Sequence, residues 1–99
     1  MKIRWYKNAV KNLLSAIEYL ENNNAKDYSE QLEKEILKAI RLLAKTPYIY
    51  PEDRFKYNND GSYRAFVIDS YRITYRITPT DILILRIKHT SRKPTFYTR

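Results

Sequence analysis

Cysteine is absent from these 99 residues, and histidine, glycine, tryptophan and methionine occur once each. Without cysteine there is no disulfide framework, no thiolate zinc site and no thiol nucleophile, and one histidine supplies too few nitrogen ligands for a typical transition-metal site. Neither a metal nor a cofactor is therefore expected. Runs of 18 or more apolar residues are also missing, and the opening Met-Lys-Ile-Arg-Trp-Tyr-Lys interrupts the apolar stretch a secretory signal needs. The expectation is a cytoplasmic protein with no membrane contact. Acidic residues are scarce in one part of the chain. Residues 1–61 carry 11 basic and 9 acidic side chains, whereas residues 62–99 carry 8 basic and 2 acidic, so most of the net charge of +8 sits in the last third. Such a field attracts phosphates, nucleic acid, anionic surfaces or an acidic protein partner.

What is present has the pattern of one domain spanning residues 1–99 around one core. Ile3 and Trp5 alternate with Lys2 and Arg4, which predicts a short strand giving way to helix near Tyr6 or Lys7. Val10, Leu13, Leu14, Ile17 and Leu20 then follow a helical period as far as the Asn22-Asn23-Asn24 stop. Asp27 and Glu30 have the spacing of a capping box, and Tyr28, Leu32, Ile36, Ala39, Ile40 and Leu43 predict a second helix over 28–45 that Pro47 ends. The two helices form an antiparallel hairpin. Residues 46–62 hold Pro47, Pro51, Asn58, Asn59, Asp60 and the single Gly61 and read as a long irregular connection, a length that is often functional.

Beyond it the period becomes two. Tyr71, Ile73, Tyr75 and Ile77 alternate with Arg72, Thr74, Arg76 and Thr78, giving a half-buried strand with a basic face. Tyr63–Ile68 precedes it through a tight Asp69-Ser70 turn, and Ile82–Lys88 follows, apolar on both faces at first and so central in the sheet. The fold class is α+β: an N-terminal strand, a helical hairpin and a three-stranded antiparallel meander, in a sheet of about four strands with both helices on one side. Val10, Leu13, Ile17, Leu32, Ile36, Ile40, Leu43, Ile73, Tyr75 and Leu85 are the expected core.

This order of pieces resembles the toxins of the RelE/ParE superfamily, the toxic halves of bacterial type II toxin–antitoxin pairs. The resemblance covers nearly the whole chain and rests on Pro47-Tyr48 and Tyr50-Pro51 after the second helix, Tyr63-Arg64 on the first meander strand, Tyr71-Arg72-Ile73-Thr74-Tyr75-Arg76 on the next, and the segment from His89 to Phe96 with Arg92 and Pro94. It implies an acidic cognate antitoxin as partner and either of two activities, ribosome-dependent cleavage of mRNA or poisoning of DNA gyrase.

For cleavage, attack by a 2′-OH needs a proton acceptor, cations at the phosphorus centre and an acid for the leaving oxygen. The resemblance assigns Arg72 to the scissile phosphate and His89 and Tyr97 to the proton transfers, as catalytic residues, with Arg64, Arg76, Arg92 and Lys93 as binding residues. One departure from the RNA-cutting pattern is that the basic pair of the first meander strand is reduced to Arg64, with Phe66 two residues on. Each residue also has a plainer reading. Arg72 and Arg76 suit a solvated strand face, His89 shares the parity of Leu83, Leu85 and Ile87 and so points toward the core edge, and Tyr97 suits a tail that packs on the sheet. The presence of Arg72, His89 and Tyr97 together favours mRNA cleavage; gyrase poisoning, with Arg72, Arg76 and Arg92 as binding residues, and a non-toxic basic binding module are the alternatives.

Overall fold

A computed structural model describes residues 1–93 and 95–98. The chain runs β1 (Lys2–Trp5), α1 (Lys7–Asn22), α2 (Lys26–Leu43), β2 (Tyr63–Ile68), β3 (Tyr71–Ile77) and β4 (Asp81–His89). The four strands form one sheet in the order β1-β4-β3-β2, with β1 parallel to β4 and the meander antiparallel. Its central position explains why Ile82, Leu83 and Ile84 are all buried. One face of the sheet contributes Phe66, Tyr71, Ile73, Tyr75, Ile77, Ile82, Ile84 and Ile87 to a core closed by Ala9, Leu13, Leu32, Ile36, Ile40 and Leu43 from the helices. This is the expected α+β layering, with the hairpin on one side.

Turn chemistry is local and readable. Asn24 adopts φ 60° between the helices, a left-handed conformation that asparagine tolerates, and the Ala25 N–H returns to Leu20 O at 2.8 Å. Asp69 (φ 52°) makes the two-residue turn between β2 and β3.

Several expectations are corrected. No side chain caps α2: its N-cap is Ala25, so Asp27 lies within the first turn and favours the helix through its charge rather than as a capping box. The helix covers 26–43 rather than 28–45. In α1 the inward stripe is Ala9, Leu13 and, partly buried, Ala16, Ile17 and Leu20, so Val10 lies 41% exposed instead of in the core. The apolar arc of α1 is wider than the sheet can cover, and the small Ala9 wins the position of closest approach. Leu85 is only half-buried because the β3–β4 register shifts: Thr74 pairs with Arg86 but Tyr75 with Ile84, leaving Leu85 as the extra residue of a bulge. The bulge inverts the parity of the end of β4. Arg86 and Lys88 turn to the face away from the helices, and Ile87 and His89 to the helix side.

Candidate functional site

The face of the sheet away from the helices is built in three rungs: Val67, Arg72 and Lys88; Ala65, Thr74 and Arg86; Tyr63, Arg76 and Leu83. Two irregular segments close over it. The 46–62 connection is tied down by the buried Tyr75, whose hydroxyl donates to Pro47 O at 2.8 Å, and by Tyr50 stacked on Phe66 at 4.2 Å. The tail returns alongside it, with the Tyr97 N–H donating to Phe55 O at 3.0 Å and the Tyr57 N–H to Tyr97 O at 2.7 Å.

Asp53 sits where these segments meet the sheet, and only 2% of it is exposed. Its Oδ1 accepts from the Arg72 guanidinium at 2.7 Å and from the Phe55 N–H at 3.0 Å, and its Oδ2 accepts from the Tyr97 hydroxyl at 2.6 Å. Its own backbone is anchored by Asp53 N–H to Tyr63 O at 2.8 Å and by the Asn59 amide on Asp53 O at 3.1 Å. Burial raises the Asp53 carboxyl pKa, but the hydrogen bonds from Tyr97, Phe55 and Arg72 outweigh it and hold the group below its ordinary value. Burial, and then the bond to Asp53 and its charge, push the Tyr97 hydroxyl well above the ordinary tyrosine range. The proton therefore stays on Tyr97, and Asp53 is a carboxylate. Around this network Arg72 lies 5.0 Å over Phe55 and Arg86 3.9 Å over the Tyr97 ring.

The structure thus joins Arg72 and Tyr97, two of the three residues assigned to catalysis, through Asp53. It does not bring His89 to them. His89 leaves the helix side of the sheet beside Tyr71, ring centroids 5.1 Å apart, and its Nδ1 accepts the Ser91 N–H at 3.0 Å. Its plainer reading, on the core side, describes its direction, although the side chain is exposed at the sheet's end. Arg64 is spent on the connection: it donates to Gly61 O at 3.0 Å and Tyr50 O at 2.9 Å and lies over Tyr48. Arg76 stays on the open face, over Tyr63 and 3.4 Å from Ser62 Oγ. Arg92 and Lys93 are exposed in the turn after β4, and Pro94 lies outside the described residues.

Asp53 escaped the sequence reading because an acid in an irregular loop carries no period. The one signal is charge arithmetic: with two acids for eight bases in residues 62–99, an arginine partly buried on β3 must find its carboxylate elsewhere. Among the described residues no group of three or more His, Asp or Glu side chains is placed to hold a metal ion.

The chain matches the family model for the ParE toxin of the type II toxin–antitoxin system parDE over residues 3–94. Its fold is similar to that of a chain in the chromosomal ParDE toxin–antitoxin system from P. aeruginosa, with TM-score 0.72, 14% identity, and coverage of 90% of this chain and 95% of that one. A chain in the RelBE2 toxin–antitoxin complex from Mycobacterium tuberculosis is similar with TM-score 0.50 and 20% identity, covering 89% of this chain and 95% of the other. Among curated protein sequences none matches significantly. Identities this low carry the fold alone, and the likeness to both systems agrees with the strand, hairpin and four-stranded sheet described above. With the family model spanning nearly the whole of that fold, the chain belongs to the ParE toxins of type II toxin–antitoxin systems, within the RelE/ParE superfamily.

Proposed function

We propose that this toxin acts by binding its target, as a gyrase poison, rather than by cutting mRNA. The observation that carries the reading is the double engagement of Asp53. A cleaving site needs a cation free to meet the phosphorus centre and a group able to exchange a proton near neutral pH. Here the Arg72 guanidinium is directed at Asp53, the Tyr97 hydroxyl is a held donor with a raised pKa, and His89 lies across the sheet. The network fixes shape instead. It clamps loop and tail onto the sheet and leaves Arg76, Arg86 and Lys88 as a cationic surface beside the exposed rings of Tyr57 and Phe96. A poison needs such a complementary surface and no proton-transfer set.

The same surface suits an acidic antitoxin. Because Arg72 already has a carboxylate, the antitoxin's acids would meet Arg76, Arg86 and Lys88, and its apolar residues would cover Val10 and Leu14, exposed one turn apart on α1, with the exposed Tyr6 just before the helix. Purified toxin is to be tested in a gyrase supercoiling assay and, in parallel, by primer extension on mRNA in a reconstituted translation system. Inhibition of supercoiling with intact mRNA is the expected result. Cut mRNA with unaffected supercoiling would overturn the proposal and return Arg72 and Tyr97 to catalytic roles.

A further inference from the structure

A cleft of about 620 Å³ lies between α1 and the end of β4, and among the described residues no carboxylate lines it. One face of α1 supplies Asn12, Ser15 and Tyr19, while β4 and the turn beyond supply His89 and Arg92, with Lys88 at the rim, where its side chain turns to the opposite face of the sheet. Their polar groups are arranged as donors. The Asn12 Oδ1 accepts the Ile87 N–H at 3.0 Å, which fixes the amide and leaves its NH2 group available. His89 Nδ1 accepts the Ser91 N–H at 3.0 Å, so in the neutral ring the proton resides on Nε2. Lys88 and Arg92 form no ion pair among the described residues.

We propose that this cleft binds a phosphate monoester carried on a nucleoside. The Arg92 guanidinium and a surrounding set of neutral donors suit a group with three terminal oxygens better than a carboxylate with two. The volume leaves room for an organic portion, and the exposed ring of Tyr19 with the Tyr71–His89 pair offers flat apolar surface on which a base stacks. The phosphate comes from a free nucleotide or from the end of a nucleic-acid chain. Apart from Lys88 at the rim, this site shares no lining residue with the pocket at Asp53, and its test reads Arg92, so it stands or falls without the choice of toxin target.

The test is an amide NMR titration of the full chain with inorganic phosphate, adenosine, adenosine monophosphate and a short 5′-phosphorylated single-stranded oligonucleotide. Adenosine monophosphate is expected to produce saturable shifts at Ile87, His89, Ser91 and Arg92 with Kd of about 1 mM or tighter. Inorganic phosphate should shift the same amides more weakly, and adenosine should not. R92Q should weaken binding by at least ~tenfold, whereas K34Q, an equal loss of charge on α2, should change it less than ~twofold. Tighter binding of the oligonucleotide at these same amides would identify a nucleic-acid end as the source, and tighter binding of the monophosphate a free nucleotide. Adenosine binding as well as its monophosphate, no saturation, or equal weakening by R92Q and K34Q would overturn the proposal. Thermal melts of both variants confirm that the compared chains are folded.

Discussion

Asp53 receives donors from two segments that the chain reaches far apart, Arg72 on β3 and Tyr97 in the tail. An amide in its place keeps one acceptor oxygen and sets an NH2 group against the other donor, so either a guanidinium only about a quarter exposed or the Tyr97 hydroxyl loses its acceptor, and the guanidinium loses its counter-charge. Asp53→Asn is therefore expected to cost about 2–4 kcal/mol, discounted for the solvent that still reaches Arg72, and to lower Tm by roughly 10 °C or more in calorimetry. The pH dependence has a definite sign. A carboxyl whose pKa falls on folding contributes stability that is complete above its unfolded value of 3.8 and lost as pH drops through the lower folded value. Acid unfolding of the wild type should steepen below that point, and the steepening should be reduced in Asp53→Asn. At the alkaline end burial raises Tyr75 to about 12, and Tyr97 is raised as well. The stability these two give is complete below the unfolded value of 10.0 and lost as pH rises through the folded values. Absorbance titration should show Tyr75 and Tyr97 ionising last, together with unfolding, after Tyr28 and Tyr71, which burial also raises. Arg72 and Tyr97 were legible as residues of interest from the family resemblance; their joining carboxylate was not, because tertiary hydrogen bonds leave no local pattern.

Among the elements, α1 shows where sequence periodicity stops short. Its apolar residues define a helix correctly, but they span more of its circumference than one sheet can bury, and periodicity cannot choose which edge stays wet. Ala9 at the contact leaves Val10 and Leu14 outside, the latter 60% exposed. Leu14→Asp is accordingly expected to leave Tm within a few degrees, as for an exposed position, while lowering antitoxin affinity at least ~tenfold in calorimetric titration. Unchanged affinity would remove α1 from the proposed interface. The bulge at Leu85 is the second limit. Alternation along β4 was visible in Ile82, Ile84 and Ile87 only after the extra residue is known, and that one residue sends Arg86 to the Asp53 side and His89 to the other. β3, with its uninterrupted alternation, was legible to within a residue.

For the molecule as a whole, charge is distributed by face more than by sequence third. The side away from the helices carries Arg72, Arg76, Arg86 and Lys88, and among the described ion pairs only Arg72 of these four has a carboxylate. Association with an acidic antitoxin should weaken steadily with added salt, by about tenfold or more between 50 and 500 mM, as expected for contacts screened over a Debye length. A salt-insensitive complex would indicate that the apolar stripe on α1 dominates. The alternation of β3 already predicted a basic face at Arg72 and Arg76; the fold adds Arg86 and Lys88 to it through the bulge.

The parallel pairing of β1 with β4 sets a condition on how the toxin comes into being. Lys2–Trp5 are synthesised well before Asp81–Ile84, with which they pair, and the parallel edge cannot form before those later residues leave the ribosome. At synthesis rates of roughly 5–20 residues per second the nascent chain has its helical hairpin for seconds before it has a sheet. Ribosome-arrested chains exposing only residues 1–80 are expected to be cut readily by added protease, and chains exposing the whole sequence to resist it. A sheet assembled in this order cannot bring Arg86, Lys88 and the Tyr97 clamp onto the face that Arg72 and Arg76 present until β4 and the tail have emerged.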